Sequence, residues 1–409
     1  MRLLVIHDEL YPNTSANARI VYRIIDELLK HNDVDITILG CAQTKDQFLT
    51  HYHKCPIIHE PWQKTCRYFR FLDRLGRFKL LRYILMPRSI VYRILHPRWT
   101  PRDVEMMRWI YHHRRQFDVV LACAMPFYSI DIAAQIAKYI PVVNYYMEPY
   151  WNHLPSIYSN LHMISRLWDG SASRVIVPEH IKQIYMKHAD KDIVDKLVTA
   201  EFPNVQKNDE HEIDNIFFSS DKINLAFVGK FYPEIRNPQY LFNIMEHIHS
   251  SGISLHIAGG FNGSFSKSFL EKYFTNKMPY ISFMGMLPPD QASSMLMQAD
   301  ILVHIGNTTP EMLPSKILDY ISTGKPIINL YQHDKCPTLS ILNDYPLKLN
   351  IKVDESLTEG LLHKIISFCG DNKGAKVSFT EIERLYKKYT SKYVGDVFYQ
   401  ILFEVLNLR

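Results

Sequence analysis

Between residues 311 and 331 the chain reads EMLPSKILDYISTGKPIINLY, which sets two carboxylates, Glu311 and Asp319, on either side of a Pro-Ser-Lys step. Pro314 disfavours helix at the residue before it and Ser315 is a capping residue type, so the spacing predicts a helix from there through Ile317, Leu318 and Ile321. Gly324 ends it, and PIINLY reads as a short buried strand. The first turn of a helix offers unpaired N–H groups and a partial positive charge, a seat for phosphate, and Lys316 adds a full charge nearby. Helical side chains lean back toward the N-terminus, so Asp319 would stand at the edge of a ligand seated there. A carboxylate beside a phosphate seat can accept hydrogen bonds from a vicinal diol, as an acid does on ribose in dinucleotide sites. The same spacing fits equally well a solvated first-turn acid at Asp319 and a loop acid at Glu311.

A helix and strand so placed belong to a larger pattern. A chain of 409 residues exceeds the usual limit of one core, so two domains are expected. The runs RLLVIH, VDITILG, FDVVLACA, PVVNYY and SRVIVP read as strands, separated by segments such as Ala18 to His31 and Tyr128 to Tyr139 with helical apolar spacing. The alternation pauses at EFPNVQKNDEHEIDNIFFSSDK and resumes with INLAFVG, ISLHIAGG, YISFMG, DILVHIG and PIINLY. This predicts an α/β protein of two Rossmann-like domains, residues 1–203 and 204–380, facing across a cleft at the carboxyl ends of their strands. The closing stretch 381–409 has amphipathic helical spacing and is expected to pack back across the junction.

The ordered set FVGKFYPEIRNPQYLF, LHIAGG, ISFMGMLPPDQASSMLMQADILV and the stretch around Glu311 resembles the donor-binding domain of GT-B glycosyltransferases. More closely, it resembles the retaining glycosyltransferase family 4, the glycosyl transferases group 1 family. Glu311 and Asp319 fit that family's pair of acids separated by seven residues, with Asp in the second place. PNVQ resembles its hinge, and VIHDELYPNTSANARIVYRIIDELLKH its first strand, loop and helix. The resemblance implies that Glu311 contacts donor-sugar hydroxyls and Asp319 the ribose. It implies that Lys230 binds the donor diphosphate where the family has Arg, with Arg236 standing one residue beyond its companion Lys. Gly229, Gly259, Gly260, Gly285, Met286, Leu313, Ser315 and Lys316 would line the same donor site. Cations aimed at a departing diphosphate favour the transition state over the ground state. Retention of configuration is expected, with no enzyme nucleophile assigned.

The first loop departs from the family. NTSANAR stands where relatives have Gly-Gly; Ser15 and Arg19 are the candidates for phosphate there, a simple N-capped helix being the other reading. In NYYMEPYWNH, which follows a predicted strand, Glu148 and His153 are the acceptor-side candidates, against a purely structural role. No metal site is expected: the one short acid pair, Asp190 and Asp192, lies beside Lys187 and Lys191 and reads as a solvated face. No Gly-x-Gly-x-x-Gly or P-loop appears, which argues against a dehydrogenase or kinase, and no cofactor is expected beyond the nucleotide-sugar donor. Cysteines 41, 55, 66, 123, 336 and 369 lack CxxC or metal spacing and read as reduced thiols. With no signal-peptide pattern and no apolar run of spanning length, a cytoplasmic protein is expected.

Residues 62–115 carry fourteen Lys or Arg against three acids, a net +11 in a chain whose total is +5. Arg67, Arg70, Arg74 and Arg77 recur at helical spacing beside Phe69, Leu72, Leu80 and Tyr83, which predicts a basic amphipathic helix suited to an anionic membrane surface at the inner face. No nucleic-acid module accompanies the charge. The resemblance thus implies a retaining transferase of hexosyl type, expected to need no metal and to act on a glycan or lipid-linked acceptor in cell-surface polysaccharide synthesis. The alternatives are a GT-B-shaped binding protein that has lost activity and a nucleotide-sugar epimerase of related shape.

Overall fold

The computed structural model describes residues 1–7, 16–40, 51–58, 101–124, 128–149, 161–207, 218–262, 265, 269, 273, 278–309 and 313–407, with backbone alone for 101–104 and 128. Ser15, His153, Glu311 and the arginines at 67, 70, 74 and 77 lie outside the described residues. The chain forms two compact units, Met1–Pro203 with Ser391–Arg409, and Asn204–Thr390.

Unit 1 opens with β1 (Arg2–Ile6), α1 (Ala16–Leu28), β2 (Asp35–Leu39), β3 (His51–Tyr52) and β4 (Cys55–Ile58). It continues through α2 (Pro101–His113), β5 (Val119–Cys123), α3 (Tyr128–Ile136), β6 (Val142–Tyr145) and α4 (Leu161–Asp169). Then follow β7 (Arg174–Val177), α5 (Glu179–His188), α6 (Lys191–Val194) and β8 (Leu197–Thr199). Its described sheet has the order β3-β4-β2-β1-β5-β6-β7-β8, parallel except for the β3–β4 hairpin. The order reverses between β1 and β5. Strand alternation sends Leu4, Ile6, Val120, Ala122, Val142 and Val175 to one face, where they pack with Met106, Ile130, Ile164 and Trp168 from α2, α3 and α4.

Unit 2 runs β9 (Ile223–Phe231), α7 (Gln239–Ile248), β10 (Ile253–Phe261), β11 (Ile281–Phe283), α8 (Pro289–Gln298), β12 (Ile301–Ile305), α9 (Lys316–Thr323) and β13 (Ile327–Tyr331). It ends with α10 (Pro337–Ile341), β14 (Lys348–Lys352), α11 (Glu359–Asp371) and α12 (Phe379–Leu385). All six strands are parallel in the order β11-β10-β9-β12-β13-β14, reversing between β9 and β12. The last helix, α13 (Ser391–Asn407), belongs to unit 1. The amphipathic closing stretch is therefore two helices, one in each unit. On unit 1, α13 stacks Tyr399 on His31 at 3.8 Å between ring centroids and donates the Tyr399 hydroxyl to Asp33 at 2.8 Å.

The strands read from the sequence are present, and four further ones, β3, β4, β8 and β14, join them. Gly324 ends α9 in the left-handed conformation at φ 74°, which L side chains adopt only with strain. Cysteines 55, 123, 336 and 369 are free and buried. Asp190, of the short acid pair, lies within ion-pair distance of Arg166 at 2.6 Å and of His162 at 3.2 Å. Among the described residues no helix is long and apolar enough to cross a membrane.

A buried carboxylate ties the end of β6 to its helices. Asp169 accepts from Asn144 Nδ2 and the Tyr146 hydroxyl at 2.8 Å and from the Tyr185 hydroxyl at 2.9 Å. Burial pushes its carboxyl up to about 6, against those three bonds. Because the folded value lies above the ordinary one, folding takes up a proton; the contribution is complete below about pH 4 and is lost as pH rises through about 6. The parent is therefore expected to gain about 3 kcal/mol over Asp169→Asn between pH 7 and pH 4. Urea midpoints at the two pH values check this, and parallel pH slopes for the two proteins would refute it.

Candidate active site

The carboxyl ends of β9 and β12, where the strand order of unit 2 reverses, are the place where open parallel sheets bind ligands. Gly229, Lys230 and Phe231 close β9, while Gly306 and Asn307 follow β12. Lys230 is exposed there and makes no hydrogen bond or ion pair among the described residues. After Phe231 the chain turns back on itself, with Arg236 N donating to Tyr232 O at 3.0 Å and Tyr232 N to Arg236 O at 3.2 Å. Thr308 pins this turn, its N–H donating to Ile235 O and its hydroxyl to Glu234 O, both at 3.0 Å.

The turn delivers the Arg236 guanidinium over the strand ends. Its Nη2 donates to Asn307 Oδ1 at 2.8 Å, and its Nη1 would lie 3.7 Å from a methyl built on Gly229. Nε is shielded from solvent without a hydrogen-bond partner, and the group pairs with no carboxylate among the described residues. Burial lowers its pKa from the ordinary value, yet an arginine keeps its charge in proteins. A cation held this way has unspent donors and charge, the property of a site that awaits an anion.

The buried histidine that feels this charge is neutral. His304 of β12 is buried and pushed down to about 3, first by burial and then by Arg236. Asn329 Nδ2 donates to Asn350 Oδ1 at 2.9 Å, so Asn329 Oδ1 accepts from the Thr338 hydroxyl at 3.3 Å and from His304 Nδ1 at 2.9 Å. That network assigns the proton of His304 to Nδ1. Tyr320 of α9 locks helix to strand: its hydroxyl accepts the Val228 N–H at 2.9 Å, one residue before Gly229.

This bond sets the first turn of α9 beside the end of β9. Lys316 and Asp319 are half-buried in that turn, with Leu313 and Ser315 just before it. Ser315 stands at the N-cap position as the sequence predicts, but in helical conformation and without a capping bond; its carbonyl accepts from Leu318 N at 3.1 Å. On the other side of β9, Gly259 pairs with Gly229 in register, and its N–H donates to Gly285 O at 2.7 Å. Met286 is 67 % exposed, with Sδ 3.6 Å from a methyl built on Gly260.

The structure thus gathers Gly229, Lys230, Arg236, Gly259, Gly260, Gly285, Met286, Leu313, Ser315, Lys316 and Asp319 at one edge of unit 2. Arg19, half-buried in the first turn of α1, and Glu148, half-buried after β6, belong to unit 1. Sequence reading missed His304, Asn307 and Tyr320. The polar His in the apolar run ILVHI and the Tyr beside Asp319 were the available signals.

Residues 222–339 match the family model of glycosyl transferases group 1. No curated protein matches the chain in sequence. Solved structures do match it along its whole length. A glycosyltransferase from Rickettsia africae aligns at TM-score 0.65 and 13% identity, covering 100% of this chain and 99% of that one. HepE from Anabaena, solved with UDP and glucose, aligns at 0.62 and 13%, covering 98% and 99%. A UDP-N-acetylglucosamine 2-epimerase described from Listeria monocytogenes aligns at 0.56 and 10%, covering 100% and 97%. The fold is GT-B, with two Rossmann-like units, and both enzyme classes share it.

Proposed function

We propose that this chain is a metal-independent glycosyltransferase that moves a hexosyl group from a nucleoside-diphosphate sugar to a glycan or lipid-linked acceptor, with retention of configuration, in cell-surface polysaccharide synthesis. The observation that carries the reading is the Arg236 guanidinium, half-partnered and without a carboxylate partner among the described residues, at the switch point of unit 2. The match to glycosyl transferases group 1 over the same unit and the likeness to HepE, solved with UDP and glucose, support a uridine-type diphosphate donor. The charge count of residues 62–115 supports peripheral contact with an anionic membrane at its cytoplasmic face.

In this reading Arg236 and Lys230 hold the diphosphate and take the negative charge that grows on it as the glycosidic bond breaks. The first turn of α9 supplies N–H groups, with Lys316 beside them. Asp319 accepts from the ribose hydroxyls and Glu311 from hydroxyls of the donor sugar, while Ser15, Arg19, Glu148 and His153 serve the unit-1 side. The backbone at Gly259, Gly260, Gly285 and Met286 faces the nucleoside.

Calorimetric titration with UDP and with uridine tests the reading. Lys230 is exposed, so its charge is screened, and Lys230→Ala is expected to weaken UDP about fivefold, an effect of up to about 1 kcal/mol. Uridine, lacking phosphate, should bind parent and variant alike. Failure of the parent to bind UDP would overturn the donor assignment.

A further inference from the structure

In unit 2 a polar row crosses the sheet where β12, β13 and β14 lie side by side. His304, Asn329 and Asn350 stand in register, so their side chains share a face. The row is bonded along its length, from His304 Nδ1 to Asn329 Oδ1 and from Asn329 Nδ2 to Asn350 Oδ1, both at 2.9 Å. It holds one imidazole in one orientation and one tautomer: Nδ1 keeps its proton and is committed to Asn329, so Nε2 carries the lone pair. Nε2 makes no hydrogen bond among the described residues, and the ring keeps 4 % exposure. Apolar side chains would fill such a row at lower cost, because a buried polar atom without a partner is destabilising.

Among the described residues, the charged and titratable groups about this ring belong to the anion site. Arg236, half-buried on the turn after β9, acts directly on the charge of the ring. Tyr320 of α9 lies edge-on to it at 6.2 Å between centroids, and burial suppresses ionisation of that hydroxyl. Lys316 and Asp319 stand in the first turn of the same helix. From beyond β13 come Cys336 and Thr338, both buried, with Sγ and Oγ1 3.1 Å apart, and uncharged Asn307 follows β12.

We infer that His304 is a diphosphate contact that takes up a proton at Nε2 as the anion binds beside Arg236. As a phosphate contact His304 rests on the donor reading above. Without ligand, burial and then the Arg236 charge hold the ring neutral, pushed down to about 3. A bound diphosphate reverses the second cause, since it neutralises Arg236 and sets negative charge beside the ring. One unit charge about 5 Å away, at an effective dielectric of about 20, favours the protonated form about two hundredfold, so the two charges of a diphosphate diester bring the ring to about 7. The proton comes from solvent. Nδ1–H stays on Asn329, Nε2–H donates to a phosphate oxygen, and the site holds its second buried cation only while it is occupied. When the nucleoside diphosphate leaves, the proton returns to solvent. The complex thus binds one proton more than the free protein, so affinity rises as pH falls.

Calorimetric titration with UDP-glucose, whose diphosphate has no group that titrates near neutral pH, tests this in buffers of low and high ionisation enthalpy. The parent is expected to bind about tenfold more tightly at pH 6 than at pH 8, taking up close to one proton at pH 6 and little at pH 8. His304→Asn keeps an amide donor for Asn329 and cannot titrate, so its affinity should be the same at both pH values, with no proton taken up. If the site takes UDP but not UDP-glucose, parent and variant are compared with UDP, whose own titration cancels between them. If the variant does not fold, nitrogen-15 imidazole spectra of the parent decide: one neutral Nδ1–H ring should become doubly protonated as ligand is added, and no change in any ring would overturn the assignment. Affinity that is flat with pH in the parent, or equally pH-dependent in His304→Asn, would overturn it too and leave the donor reading standing. A parent that binds neither UDP nor UDP-glucose at any pH removes the donor reading and the role of His304 with it.

Discussion

Arg236→Ala is expected to lower the affinity for UDP by about ten- to a hundredfold and to leave the unliganded protein no less stable than the parent. A charge-assisted hydrogen bond contributes about 1.5–3 kcal/mol, and each 1.4 kcal/mol is about tenfold in affinity. Without ligand the guanidinium is a liability: it is partly desolvated, bonded to a single described partner at Asn307 Oδ1, and carries an Nε without a described partner. Removing a half-buried charge that lacks a counter-charge among the described residues offsets the loss of that one bond. The two effects separate in thermal unfolding with and without UDP. Ligand binding raises the midpoint with the logarithm of ligand concentration over Kd, so at a UDP concentration near the parent's Kd the variant should keep the unliganded midpoint and lose most of the UDP-induced rise. Arg236→Lys keeps charge but not the planar fork, and should fall between the two. A full UDP-induced rise in Arg236→Ala would remove Arg236 from the site.

Gly259→Ala is expected to destabilise the centre of unit 2 by about 3–5 kcal/mol, from backbone strain together with overpacking. Gly259 has φ 148°, and a methyl built on it would lie 1.6 Å from the carbonyl oxygen of Gly229 in the neighbouring strand. No rotamer relieves a collision with backbone, so β9 and β10 must separate where the phosphate-binding edge is formed. Hydrogen exchange reads this locally: amides of Ile223–Phe231 and Ile253–Phe261 should exchange about a hundredfold to several thousandfold faster. All five tryptophans, at 62, 99, 109, 151 and 168, fall in unit 1, so their fluorescence is an internal control and should not change. Parental exchange rates in the variant would contradict the geometry of the Gly229–Gly259 pair.

How far the residues announced this arrangement depends on what each one answers to. Strands such as VVLAC and ILVHI are buried from end to end and stand out as apolar runs. KLNIK, the edge strand β14, alternates polar and apolar residues, and β4 carries Pro56; both read as loop until a neighbouring strand is seen to pair with them. Gly229, Lys230 and Gly259 were named through the resemblance to the glycosyl transferases group 1 family, and Asp319 also through its place in the first turn of a helix. The local setting of Arg236 was not legible, since it rests on a turn held by Thr308, 74 residues beyond Glu234. Tyr320 carried no reading in the sequence, and only its bond to Val228 reveals that it ties helix to strand. Ser315 shows the converse: the local signal found the position, while the expected capping bond is not made.

The most direct measurement is proton NMR of the anomeric region while the protein is incubated with a panel of nucleotide sugars and the methyl glycosides of glucose, galactose and N-acetylglucosamine. The transfer reading predicts that one donor is consumed with stoichiometric release of its nucleoside diphosphate, and that the first new anomeric signal has the donor's own configuration. Donors that all remain intact, or a donor whose sugar changes configuration at C2 while still bound to its nucleotide, would contradict it.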